Sequence, residues 1–187
     1  MFDNSVLENI YTRRSVRKYE SKQVADDLLE QVLESALWTP SALNKQPWQV
    51  RVVQSPKLLR EINNRFVEWA AKQKGLQGSA ARASEEDFSV FHHAPTLIVV
   101  FRDKNNHYSA GDCGMLAQNV MLSAHSLGLG SCVIGNVATV FSLCPKWFLE
   151  EMNVSDDYEV SFGIAIGYPA ENPPQKPRDK DKFELIR

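Results

Sequence analysis

Cysteine is scarce here: Cys113, Cys132 and Cys144 are three among 187 residues, an odd number with no CxxC pair. That spacing argues against a disulfide framework and a structural zinc site, and fits a reducing cytoplasm. No apolar run approaches the ~18–20 residues of a membrane span, and the N-terminal stretch MFDNSVLENIYTRR has no signal-peptide core. An excess of one charge is missing too. Against 21 Lys and Arg stand 23 Asp and Glu, a net charge of −2, so the whole molecule offers no electrostatic footprint for nucleic acid or acidic lipid. Any anion site must be local. Neither a strand–GxGxxG–helix opening nor a GxxxxGK[ST] occurs, which leaves dinucleotide Rossmann and P-loop readings without support. Repeats are absent, and the only biased segment is a proline-rich tail.

What is present reads as one soluble globular domain over residues 1–187, with 170–187 as an extended C-terminal arm. The chain is organised around Tyr108–Asn136. Cys113, Leu116, Ala117, Val120, Ala124 and Leu127 recur at steps of three and four, and Met115, Met121 and Leu122 carry apolar character onto other faces. The spacing predicts a central helix enclosed on most sides. Gly128 and Gly130 would close it by tolerating positive φ, and Ser131–Ile134 would follow as a short buried strand. Upstream, Asn4 or Ser5 caps a helix to Thr12 with Val6, Ile10 and Tyr11 on its buried stripe. Asp26 or Asp27 opens another to Leu37, stopped by Pro40. Trp48–Val53 reads as a strand, Pro56 to about Lys74 as a long helix, and Thr96–Phe101 as an interior strand. A mobile excursion after Lys74 ends in a short helix near Glu85–Phe91. A helix near Phe141–Glu151 and a strand over Tyr158–Tyr168 complete an α+β sandwich.

Three features bear on chemistry. RRSVRKY, Arg13–Tyr19, could present a fork of donors and a hydroxyl to a phosphate, since guanidinium binds phosphate bidentately. Lys176 and Arg178 on the arm are further phosphate-compatible cations. The loop Thr39–Trp48 is rich in small residues and amides able to line the polar edge of a heterocycle. Taken singly, each admits a plain structural reading as solvated charge or a connection. The pair His92–His93 lacks a third ligand at metal-binding spacing. Together the cations, the amide loop and the backbone after Ile134 describe a ligand with a phosphate and a polar heteroaromatic ring, as in FMN.

The ordered set RRSVRKY, TPSALNKQPWQVRVV, the QN of a long helix ending GLGSCVIG, and GYP followed by KPR resembles the nitroreductase family over nearly the whole chain. The resemblance implies an α+β fold, a mostly antiparallel sheet flanked by helices, and an intertwined homodimer with two FMN molecules at the subunit interface. It implies that Arg13, Ser15, Lys176 and Arg178 hold the phosphate, with Arg14 beside them and Arg17 at the pyrimidine edge. Pro40, Ser41, Ala42 and Asn44 would come from the other subunit, and Ile134, Gly135 and Asn136 would face the ring's N5 and O4. Val133 and Asn136 depart from the tryptophan and second glycine frequent in the family. The activity implied is hydride transfer from NADH or NADPH to flavin N5, then to nitroaromatics, quinones or similar flat acceptors in ping-pong order, with no protein residue as catalytic nucleophile and no metal. Enone reduction, reductive dehalogenation and a non-catalytic flavin carrier or sensor stay open as alternatives.

Overall fold

A computed structural model describes residues 4–187, the side chain of Ser79 excepted; the reading of Met1–Asp3 as part of the domain lies outside the described residues. Asn4 caps α1 (Ser5–Thr12) by accepting the Val6 and Leu7 N–H groups at 3.0 and 3.1 Å. The expected buried stripe on α1 is not buried in the protomer: Val6, Ile10 and Tyr11 are all exposed. The helix is tethered at its polar edge, where Asn9 Nδ2 donates to the Leu122 carbonyl at 3.0 Å. Among the described residues its apolar side chains stay largely exposed.

Helix α2 (Asp26–Leu37) carries Asp26 and Asp27 in its first turn, where they complement the dipole, and buries Leu29, Val32 and Ala36. Strand β1 (Trp48–Val53) follows as expected. Helix α3 (Pro56–Ala70) begins at its proline with Ser55 as cap and ends four residues before Lys74. The helix expected at Glu85–Phe91 does not form. A 3-10 turn, Gly78–Arg82, leads into a chain reversal pinned by Asn63, whose side-chain amide donates to the Phe88 carbonyl at 3.1 Å and accepts from Val90 N–H at 2.8 Å. Val90 and Phe91 are both buried beyond that reversal.

Strands β2 (Thr96–Asp103), β3 (Gly130–Ile134) and β4 (Tyr158–Gly167) complete a four-stranded antiparallel sheet in the order β1-β2-β4-β3. Alternation along β2 divides the interior. Leu97, Val99 and Phe101 pack with α3, α5 (Asn136–Leu143) and α6 (Pro145–Met152), while Ile98 and Val100 pack with α2 and α4 (Ser109–Ser126). The expected α+β sandwich is therefore present. The single helix expected at Phe141–Glu151 is instead two, α5 and α6. Pro145 disfavours a helical Cys144, which sits at φ −146°, ψ 58°.

Helix α4 corrects one further expectation. Cys113, Leu116, Ala117, Val120 and Ala124 are buried, yet Gly111, Gly114 and Gln118 are exposed and Met115 is 42% exposed, so the protomer encloses one face only. Among the described residues no helix is long and apolar enough to cross a membrane.

Candidate functional site

The segment Arg13–Tyr19 leaves α1 and lies along β3, the edge strand. Ser15 bridges Ser131, and Val16 N–H donates to the Ser131 carbonyl at 3.0 Å. Farther on, Glu20 N–H donates to the Tyr168 carbonyl and Ala170 N–H to the Lys18 carbonyl, each at 2.9 Å. Tyr19 fastens the turn from inside, its hydroxyl donating to the Val16 carbonyl at 2.6 Å. The close approach depends on Gly130, where a Cβ would meet Val16 Cβ and Cγ1 at 2.9 Å. Positive φ, expected at both glycines, occurs at Gly128 alone of the two (φ 77°); Gly130 is needed for space.

This path sets the cations. Arg14 Nη1 donates to the Tyr11 and Arg13 carbonyls at 2.7 and 2.8 Å, closing the end of α1. Arg13 is different: its Nη1 is buried and has no partner among the described residues, and neither has Ser131 Oγ. Burial pushes the Arg13 guanidinium below its ordinary value; the Cys132 sulfur opposes that, and Arg14 and Arg178 reinforce it. Arg178 of the arm thus comes within electrostatic range of Arg13, and Lys176 lies exposed two residues before it. A half-buried cation crowded by like charge and lacking a counter-ion fits an anion such as a phosphate.

Beside this cluster opens a cleft of about 380 Å³ lined by Arg17, Arg82, His92, Val133, Gly135 and Asn136, among others. Strand β3 ends at Ile134 and α5 begins at Asn136, which sets the positive end of that helix at the cleft wall. Arg17 Nη1 makes one long bond, 3.3 Å, to the Ser15 carbonyl. Its backbone N–H donates to Glu171 Oε1 at 2.5 Å. Burial first, then Arg17 and Arg82, pushes His92 below its ordinary value and keeps it neutral at pH 7. Burial raises the Cys132 thiol despite Arg17 and Arg13, so it is not poised as a nucleophile. A larger hollow of about 880 Å³ lies between α6 and β4, lined by both Lys104 and Glu159, but none of its residues carries an unpartnered buried polar atom.

Pro40, Ser41, Ala42 and Asn44 lie elsewhere. Their loop contains a 3-10 turn, Ala42–Asn44, where no helix was expected, and holds Leu43, Asn44 and Gln46 at φ 53°, 53° and 47°. Such backbone persists only when over-determined. Ser41 Oγ accepts from Gln46 N–H at 2.9 Å, Asp112 Oδ2 from Ala42 N–H at 3.3 Å, and Thr39 Oγ1 from Asn119 Nδ2 at 3.0 Å. The loop is therefore tied to α4 at Asp112 and at Asn119. The Arg13 cluster sits at the other end, where Thr12 Oγ1 meets His125 Nε2 at 2.9 Å. From Asp112 to His125 the helix climbs about 20 Å. One protomer thus brings Arg13, Ser15, Arg17, Ile134, Gly135, Asn136 and Arg178 into one region and holds Pro40, Ser41, Ala42 and Asn44 apart from it.

From the sequence, substrate choice is placed only broadly, at about residues 69–93, which hold Arg82 and His92; Asp112, Asn119 and Glu171 are not singled out as site residues. Only the QN pair in the helix offered a signal, and its purpose, clamping Thr39, depends on a contact eighty positions away.

Residues 10–168 match the family model described as the nitroreductase family. The chain is 31% identical over 187 residues to a protein of Methanothermobacter thermautotrophicus provisionally named NADH dehydrogenase/NAD(P)H nitroreductase, covering 96% of this chain and 86% of that one. It is 28% identical to the NADPH-flavin oxidoreductase of Vibrio harveyi, covering 94% of this chain and 70% of that one. A nitroreductase with bound FMN from Desulfitobacterium hafniense DCB-2 superposes with a TM-score of 0.91 at 28% identity over all of both chains. Another FMN-bound nitroreductase, from Bacteroides fragilis NCTC 9343, does so at 0.88 and 30% identity, covering 98% of this chain and 100% of that one. The chain belongs to the nitroreductase family.

Proposed function

We propose that the protein is an FMN-dependent NAD(P)H oxidoreductase that works as a homodimer with two shared flavin sites. The observation that carries this reading is the buried, unpartnered Arg13 Nη1 inside a cluster of like charges beside an open cleft. FMN bound to structural relatives supplies the matching chemistry, a phosphate dianion joined to a flat polar ring.

Arg13, Ser15, Lys176 and Arg178 would hold the phosphate with Arg14 beside them, and Ile134, Gly135 and Asn136 would form the wall against the ring. Pro40, Ser41, Ala42 and Asn44 would come from the second copy, because one protomer holds them about 10–20 Å along α4 from the cations. When bound, FMN supplies reversible hydride acceptance, taking hydride from NADH or NADPH and yielding it to a nitroaromatic, quinone or similar acceptor. Arg17, with one long bond to the Ser15 carbonyl, is free to stabilise negative charge on the pyrimidine edge. A single cleft of this volume would serve donor and acceptor in turn, which gives ping-pong kinetics. Free Cys113, Cys132 and Cys144 fit a reducing cytoplasm.

The test is the absorbance of the purified protein, identification of the released chromophore, and NADPH oxidation with and without a quinone. A colourless protein that refuses added FMN defeats the proposal. A yellow protein that shows no acceptor-dependent consumption leaves the carrier or sensor reading.

A further inference from the structure

The cleft has a second cation that the flavin reading does not use. Arg82 stands at the end of the 3-10 turn Gly78–Arg82 and lines the cleft across from Arg17. Glu85 holds its guanidinium from outside. Nε donates to Oε1 and Oε2 at 2.9 and 3.0 Å, and Nη2 to Oε2 at 2.7 Å. Both side chains are well exposed, 68% and 49%, so the pair is screened by solvent and weakly held. An oxyanion entering the cleft can compete with Glu85 for the same donors.

The surroundings favour such a competitor. No carboxylate lines this cleft among the described residues. The nearest acid of the arm, Glu171, is engaged by the Arg17 backbone N–H. His92 is neutral at pH 7, and the positive end of α5 faces the same space. Arg17, Arg82 and the N-terminal end of α5 thus line the cleft with Glu171 as an opposing charge nearby, while under the flavin reading Arg17 is committed to the ring. Arg82 remains for the molecule that enters second.

We propose that Arg82 is a specificity-determining residue which leaves Glu85 to dock an oxyanion carried by the substrate outside its reacting ring, either a carboxylate on the acceptor or the extra phosphate of NADPH. This inference rests on the flavin reading. Glu85 then acts as a competing internal anion that holds Arg82 while the cleft is empty and is displaced by the substrate.

The experiment compares kcat/KM ratios in the FMN-loaded protein. One arm sets 4-nitrobenzoate against methyl 4-nitrobenzoate, which differ in charge, with NADH as donor; their intrinsic difference in electron demand cancels when each variant's ratio is divided by that of the wild type. The other sets NADPH against NADH with the methyl ester as acceptor. Arg82→Ala should lower one charged-to-neutral ratio about tenfold, and the arm that falls identifies the oxyanion. Glu85→Gln should raise that same ratio, which mere loosening of the segment would not do, and Arg82→Lys should restore part of it. Ratios within twofold of the wild type on both arms, or a fall with Glu85→Gln, overturn the proposal. If Arg82→Ala does not fold, Glu85→Gln decides alone. Wild-type protein that binds FMN and turns over the ester with NADH or NADPH upholds the flavin reading whichever way the ratios go, and one that refuses FMN defeats both.

Discussion

Arg13 and Gly130 show how single residues shape the site. The Arg13 guanidinium is half-buried with an unpartnered nitrogen and feels Arg178 from the arm, so removing either cation should weaken phosphate binding. Arg178→Ala is expected to raise the Kd for FMN roughly tenfold or more in a fluorescence titration, the worth of one charge-assisted contact; an unchanged Kd would remove Arg178 from the site. Gly130→Ala places a methyl 2.9 Å from Val16 Cβ, and overpacking of this kind costs about 1–3 kcal/mol. At this chain length that lowers Tm by about 2–4 °C per kcal/mol, and adding Val16→Ala should recover part of the loss. His92 supplies the pH dependence. Its folded-state value lies below the ordinary one, through burial and then Arg17 and Arg82, with Glu171 opposing and His93 adding to the shift. The unfolded chain therefore binds the proton more readily, and stability falls as pH drops below about 6.5. His92→Asn keeps a residue tolerant of φ 59° and should shrink the loss between pH 7.5 and 5.5, read by urea unfolding. His125, lowered by burial and by Arg13 and Arg14, will retain the rest.

Among the elements, α4 carries both halves of the candidate site, one at each end. Asn119 fixes Thr39, a buried hydroxyl that would otherwise lose its amide donor, and so fixes the loop through Asn44. Asn119→Ala should cost about 1–2 kcal/mol and speed amide exchange over residues 39–46, while the Arg13–Tyr19 segment keeps its protection; uniform exchange across both segments would contradict this division. The helices and strands were legible where local chemistry is decisive. Asn4 capping, Pro56 at a helix start and the β-branched run of β2 all act within a few residues. The turn at 85–91 was not, because Asn63 from another helix decides it. Nor was the break between α5 and α6 read, although Pro145 signals it. Arg13, Arg14 and Arg17, three arginines in five positions, could be picked out as a candidate anion site from residue type. Arg82 and His92 could not, since a chain reversal with both histidines at positive φ is what carries them to the cleft.

At the scale of the whole molecule, the protomer leaves apolar side chains uncovered beside both halves of the candidate site. The exposed side chains of α1, Met115 on α4, and Trp38 and Leu43 flanking the strained loop all belong to the elements that carry the two half-sites. Two copies related by a two-fold axis with their α4 helices antiparallel would bury these faces together. They would also set the loop of each copy against the Arg13 cluster of the other, because α4 holds the two about 10–20 Å apart along its axis. One substitution tests both consequences. Met115→Glu puts a charge on the exposed face of α4, where the protomer tolerates it but a buried interface would have to desolvate it. Circular dichroism should stay that of the wild type while sedimentation shifts to the monomer, and FMN should be released in the same step. A dimer that persists with glutamate at this position places the interface elsewhere. A monomer that keeps its flavin shows that Pro40–Asn44 of a second copy are not needed for the site.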